Sequence, residues 1–514
     1  MNALRWPALI ILPALLILVG VLDTRDRDEP DDAAAVEVVT VPVSGAPGDD
    51  GWSWYCPSGF VDPDGTTRLV LTNPTTSPSE VVLTVHTAVP NIAGTSNAQD
   101  PVVETLTVGA ADSIDVELGP LATDRLPELD GLAEFAIAVL VETAEPEVVA
   151  EMVYSGPQRY SSVACTPSPA DRWMLAAGTT QRGARHLLTL FNPFPDAAVV
   201  DVAFATDDGA RRPDEFSNVV VGARSVLTLD IGMVVARREQ VSTTVDVVSG
   251  RVVAGRIETW DGSEGLNGIE LGLAARPALQ WFFAAGSGPE GTTTSYVIYN
   301  PGERVAEVEL EFQVDEAAAL PVTPFPLTVP AGQRVVVVVN EGEPHPLPDS
   351  QVVSTAERLP EAVAHWAVVR SFNAQPVVVE RVVTTATETT GVGVSTSLGT
   401  SLGATMIVVG NDASVAGPVP VIDVVNPSAA TISRVSVSVI LDGEILEVPS
   451  LSDVEVGPRR RAVIDLADHS VGQAEAFIVE ATTPVIVETV RDGFVTRPGI
   501  PRSDTAVEPD LFSF

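Results

Sequence analysis

Four Asn-Pro dipeptides end apolar-rich alternating segments of this chain, and the residue nineteen positions before each Asn is Trp54, Trp173, Trp281 or Ile407. The dipeptides are Asn73-Pro74, Asn192-Pro193, Asn300-Pro301 and Asn426-Pro427. Three tryptophans at one offset, in a chain with only 7, mark an internal repeat. Proline donates no ladder hydrogen bond and holds the preceding residue extended, so Asn73, Asn192, Asn300 and Asn426 are expected at strand ends, in turns.

The repeat carries further words. Gly59, Gly178 and Gly286 follow the tryptophans by five residues, and Trp173-Met-Leu-Ala-Ala-Gly178 is nearly the same as Trp281-Phe-Phe-Ala-Ala-Gly286. A Gly-x-Arg turn recurs as Gly222-Ala223-Arg224, Gly332-Gln333-Arg334 and Gly457-Pro458-Arg459. Asp230, Asn340 and Asp465 stand six residues after each Arg, with Ala111 and Glu117 in those places in the first copy. Each copy closes on a hairpin whose second strand carries Glu151, Gly255, Glu380 or Glu488.

These spacings suit many short strands, and 41 Pro with 39 Gly spread along 514 residues argue the same way. The expected fold is all-β: four tandem immunoglobulin-like sandwich modules, each with its Trp, or Ile407, in the inter-sheet core. A propeller-like closed array is the competing arrangement. Module boundaries fall at 51–168, 169–277, 278–400 and 401–495, followed by a C-terminal tail over 496–514. The Thr/Ser/Gly-rich stretch 384–405 reads as the loosest connection.

Residues Trp6 to Leu22 are almost wholly apolar, and as a helix they would reach about 25 Å, at the short end of a bilayer span. Residues 1–28 therefore read as a transmembrane anchor or signal segment, and 29–50 as an acidic spacer. No clear small-residue cleavage pattern follows the apolar run, which favours a single-pass cell-membrane protein with an extracytoplasmic body, secreted if the segment is cut. The formal charge of −40, in a chain whose basic residues are all Arg, excludes nucleic acid as a partner. The membrane is then engaged through the N-terminal helix, and other envelope proteins or glycans are the remaining partners.

Cys56 and Cys165 are the only cysteines, and both fall in the first copy. An even count in an exported chain favours a disulfide over two buried thiols.

The N-terminal apolar segment, the Trp-x-x-Ala-Ala-Gly start, the Asn-Pro strand ends and the Val-Val-x-Glu closing strands together resemble an actinobacterial family of exported proteins of unknown function. The resemblance covers about residues 50 to 495. It implies an envelope location and supplies no catalytic residue.

Chemistry-bearing motifs are sparse. His86, His186, His345, His365 and His469 stand singly, in no metal-ligating spacing, and no His-Glu-x-x-His occurs. One glutamate per copy lacks the second carboxylate that glycoside hydrolysis needs and reads as a strand-end hydrogen bond to a turn. Asp62-Pro63-Asp64-Gly65 and Asp207-Asp208-Gly209 offer calcium-type oxygens but equally the chemistry of hairpin turns. No catalytic residue, metal or cofactor is expected. Surface contact falls to Trp52, Trp260 and Trp366, outside the repeat frame, and to the basic run Arg459, Arg460 and Arg461. A noncatalytic structural or protein-interaction scaffold is the leading expectation, with glycan binding through those aromatics as the alternative.

Overall fold

Val81, Leu83 and Val85 alternate with Glu80, Val82 and Thr84, and this two-residue period folds as the strand Ser79–Ala88 with its odd-numbered side chains buried. Ala198–Thr206 buries Val200, Val202 and Phe204 by the same rule, and Ser433–Leu441 buries Val435, Val437 and Val439. The computed structural model describes residues 52–509 apart from 90–99, 127–128, 130, 144–146, 157–158, 287–291, 315–321, 340–351, 355–363, 386–392, 412–419, 492–494 and 503. The described part lies in one compact unit, Val39–Phe514, and is nearly all β in antiparallel sheets. The expected membrane helix at 6–22 and the spacer at 29–50 lie outside the described residues. Among the described residues no helix is long and apolar enough to cross a membrane.

Five strands recur in each copy. A Trp strand opens it: Ser53–Asp62, Arg172–Leu175, Gln280–Phe283 and Gly403–Gly410. An Asn strand follows at Gly65–Asn73, Ala184–Asn192, Thr292–Asn300 and Val421–Asn426. A turn strand occupies Asp112–Glu117, Ser225–Asp230, Gln333–Val339 and Arg460–Asp465. The Glu strand is Val149–Gly156, Val253–Asp261, Val378–Thr385 and the later half of Ala476–Arg491. Last comes an axial strand: Arg159–Ala164, Asn267–Leu273, Val394–Leu398 and Val495–Pro498.

In every copy the turn, Asn, Glu and axial strands pair in that order. The Trp strand pairs on its other side, with Trp54 opposite Val141, Trp173 opposite Val245, Trp281 opposite Val369 and Ile407 opposite Val479, in a separate sheet in the second and third copies and, in the first, in a continuous sheet that Val61 opposite Thr66 joins to the Asn strand. The two sheets share one core; in the second copy Trp173 and Leu175 meet Leu188 and Leu190. In the fourth copy the 16-residue strand Ala476–Arg491 serves both sheets, Phe477 pairing in one and Val487 in the other.

Two expectations are corrected here. The described part of the expected C-terminal tail belongs to the fourth copy: Val495–Pro498 pairs with the Glu strand, Ile500 with Val408, and Ala506 with Ala404. The first three copies close in the same way, Tyr55 bridging Thr166, Met174 bridging Ala275 and Phe282 bridging Thr400. A boundary at 495 therefore cuts off the last strand of the fourth copy. The stretch 384–405, expected to be the loosest connection, contains the third axial strand.

The axial strands decide the arrangement. Arg159–Ala164 packs on Asn267–Leu273, that on Val394–Leu398, that on Val495–Pro498, and the last returns to the first. The copies thus close into a ring around four central strands, which removes the open string that tandem modules would otherwise form.

Candidate functional site

The repeat residues define the seams of this ring. Each indole sits in the core and donates from Nε1 to the carbonyl just before its Glu strand: Trp54 to Val148 at 2.8 Å, Trp173 to Val252 at 2.9 Å, Trp281 to Val377 at 2.7 Å. Ile407 fills the fourth site, buried against Val485 and Val487, with no such bond to make.

The asparagines do more than stop strands. All four are fully buried, and each Nδ2 donates to a carbonyl in its own turn and to one just before the turn strand. Asn192 reaches Asp196 O at 2.9 Å and Gly222 O at 2.9 Å; Asn426 reaches Thr431 O at 2.7 Å and Val456 O at 2.9 Å. Each Oδ1 accepts from the backbone N–H two residues on, at Thr75, Phe194, Gly302 and Ser428. The carbonyl of that residue then accepts from Ala111, Arg224, Gly332 and Arg459, each in the left-handed region with φ of 47°, 49°, 64° and 52°. In the third copy the equivalent of Arg224 is therefore Gly332, two residues ahead of the expected Arg334, because glycine takes that conformation without strain. Asp230 and Asp465 cap short 3-10 turns, accepting from Gly232 N and Ala467 N.

The glutamates do not bind turns of their own copy; they reach across seams. Glu380 Oε2 accepts from Ala177 N at 2.6 Å, and Glu380 Oε1 lies 3.1 Å from the Arg256 guanidinium of the preceding copy. Glu488 repeats this with Ala285 N at 2.8 Å and Arg381 at 3.2 Å. Glu151 closes the ring on Arg497 at 3.3 Å. Arg497 stands opposite Thr489 in the ladder, where the second and third copies carry Arg256 and Arg381 on the Glu strand itself. The Ala-Ala-Gly words thus present an N–H to the next copy's carboxylate. At Gly255 a side chain would collide with Ser58, whose Oγ seals the first seam by donating to Gly272 O at 2.7 Å.

At the second and third copies lies a buried polar group that includes Glu258 and Glu270. Burial opposes ionisation of Glu258, but His186 Nδ1 at 3.5 Å, the Arg256 guanidinium and the Thr179 N–H at 2.6 Å hold its carboxyl below the ordinary range. Burial pushes the Glu270 carboxyl up to about 8, against a hydrogen bond from Ser161 Oγ at 3.2 Å. Beside them a cavity of about 330 Å³ opens between the two copies, walled by Glu258 and Trp260 on one side and by Ser295, Val382, Val394 and Thr396 on the other.

Other expected positions resolve individually. Cys56 and Cys165 form a disulfide. Trp260 and Trp366 are buried, at 6% and 2% exposure, and only Trp52 is half-exposed, so the aromatics do not form an open glycan platform. Of the basic run only Arg460 is exposed; Arg459 lies 3.2 Å from Glu311, and Arg461 lies 3.3 Å from Asp423 and donates to Ala284 O at 3.1 Å, all in the seam between the third and fourth copies. His86 is buried against Phe191 and burial lowers its pKa to about 4; His365 is buried against Phe312. His469 is half-buried, with Nδ1 2.8 Å from Ser450 Oγ, and His345 lies outside the described residues. Asp62 accepts from Tyr154 Oη at 2.6 Å and pairs with Arg159, and Asp208 pairs with Arg211 and Arg238, so both Asp-Gly turns spend carboxylate oxygens on the protein. Among the described residues no group of His, Cys, Asp and Glu could hold a metal ion.

The cross-seam pairs were invisible to sequence reasoning, although one signal was present: an Arg directly after the closing-strand position in two copies, Arg256 and Arg381.

Residues 132–269 match the Family of unknown function (DUF5719). No curated protein matches. Among solved structures, a Thermotoga maritima protein, "Crystal Structure of Thermotoga maritima 1070", is 17% identical with 24% of this chain and 96% of that chain covered, at a TM-score of 0.18. A Streptomyces avermitilis alpha-L-rhamnosidase complexed with L-rhamnose is 10% identical over 83% of this chain and 55% of that one, at a TM-score of 0.10. Similarity that low carries no argument about fold or activity.

Proposed function

We propose that this chain is a noncatalytic cell-envelope protein, tethered by its N-terminal apolar segment, whose four immunoglobulin-like sandwich modules form a closed scaffold contacting other envelope proteins. One observation carries the reading: the charged side chains that recur from copy to copy, Glu151, Glu380 and Glu488 with Arg256, Arg381 and Arg497, are buried in the seams, where they hold copies to one another. Chemistry used in this way serves assembly and leaves the outer sheets as the contacting surface. The burial of Trp260 and Trp366 weighs against glycan engagement by exposed aromatics.

In-cell cross-linking of the full chain, followed by mass spectrometry, tests this proposal. The expected result is a small set of envelope proteins linked to outer-sheet residues such as those of Val102–Val108 or Ser433–Leu441. Turnover of an envelope substrate by the purified chain, lost on substitution of a cavity residue, would overturn it. A soluble fragment for such work must run past 507, since one ending at 495 lacks an axial strand.

A further inference from the structure

The four axial seams share one ladder register, so equivalent positions can be compared directly. In the second copy Leu187 stands opposite Ile257, Ile257 opposite Leu271, and Thr259 opposite Ile269. In the third copy the same rungs read Ser295 opposite Val382, Val382 opposite Thr396, and Thr384 opposite Val394. Leu187, Ile257, Ile269 and Leu271 are buried in the first copy's core and fill the first seam. At the second seam the shorter Ser295, Val382, Val394 and Thr396 leave the 330 Å³ cavity. That size suits a small organic molecule, and clefts between domains are where such sites concentrate.

The lining narrows the class of ligand. Val297, Val336, Val338, Val382 and Val394 make an apolar floor, and Trp260 adds an indole. Thr179, Thr293, Ser295, Thr384 and Thr396 bring hydroxyls, and Gln181 and Gln240 bring amides. The charges already have partners within the protein: Glu258 lies 3.8 Å from Arg256, which it shares with Glu380, the rim Glu264 lies 3.8 Å from Arg182, and Glu239 stands in the field of Arg334. A charged ligand would disturb these pairs without gaining an unmatched partner. An uncharged molecule with an apolar face and several hydroxyls would meet both halves of the lining.

We infer that the cleft between the second and third copies is a binding site for a small neutral polyol of mono- or disaccharide chemistry. It is distinct from the exposed-aromatic platform considered from the sequence, because the ligand enters a seam. It is also independent of the scaffold role, since either can fail alone.

The test uses the purified full chain and calorimetric titration with glucose, galactose, N-acetylglucosamine, L-rhamnose and trehalose. Phenethylammonium and benzoate serve as charged probes. At least one neutral sugar is expected to bind at one site per chain, and neither charged probe to compete. Ser295→Leu with Thr396→Leu, which restores the residues found at the first seam, is expected to weaken binding more than tenfold while holding or raising Tm. If that double variant does not fold, Val382→Ile alone is expected to weaken binding several-fold. Absence of saturable binding by every neutral sugar, preference for a charged probe, or unchanged affinity in the refilled variants would each overturn the inference.

Discussion

Glu151 Oε2 lies 3.3 Å from a guanidinium nitrogen of Arg497, and this contact joins the first copy to the last strand of the fourth. Both side chains are buried, at 4% and 10% exposure, so the pair sits in a setting where removing one partner costs far more than removing both.

Arg497→Ala should therefore destabilise the chain by about 3–5 kcal/mol, because it strands a carboxylate in the seam. Glu151→Leu combined with Arg497→Leu should recover most of that loss. Guanidinium unfolding midpoints of the two variants check the order; equal midpoints would show that the seam carries no ionic constraint.

Asn192→Ala should cost about 3 kcal/mol, since it leaves buried carbonyls without a donor. Asn192→Asp should be at least as damaging, because a carboxylate oxygen cannot donate to Asp196 O and Gly222 O. Scanning calorimetry of both variants measures this, and a tolerant Asp variant would contradict the assigned orientation.

Stability should fall as pH rises from about 4.3 towards 8 on account of Glu270. Its folded carboxyl titrates near 8 because burial disfavours the charge, so over this window the folded chain keeps a proton that the unfolded chain has lost. The contribution is whole below the unfolded pKa and is lost as pH climbs through the folded one. Glu270→Gln should flatten this part of the Tm profile and leave the low-pH arm unchanged.

Reduction, or Cys56→Ser with Cys165→Ser, should lower stability by up to about 4 kcal/mol through the freed chain entropy of a loop with a separation of 109 residues. Hydrogen exchange should show the loosening first in Ser53–Asp62 and Arg159–Ala164, the strands at the two cysteines.

The all-β class, the repeat frame, the asparagine turns and the cysteine pair were legible because each is written in local chemistry: alternation, a proline that stops a ladder, an even cysteine count. Where local chemistry is ambiguous, reading failed. Gly332 and Arg224 occupy one turn position with different side chains, so a motif built on Arg slid by two residues. Val495–Pro498 is short and proline-bearing and did not read as a strand, although it completes the fourth copy.

The chain's own order of residues determined its strands, their turns and the interior place of the indoles, because those follow from backbone periodicity and from the size of one side chain. Tertiary structure alone decided that Glu380 belongs with Arg256, Glu488 with Arg381 and Glu151 with Arg497, that the copies close on themselves, and that one seam is hollow. Such contacts depend on which surfaces meet after folding, and a hollow is a difference in volume between equivalent rungs that only a shared register brings into comparison.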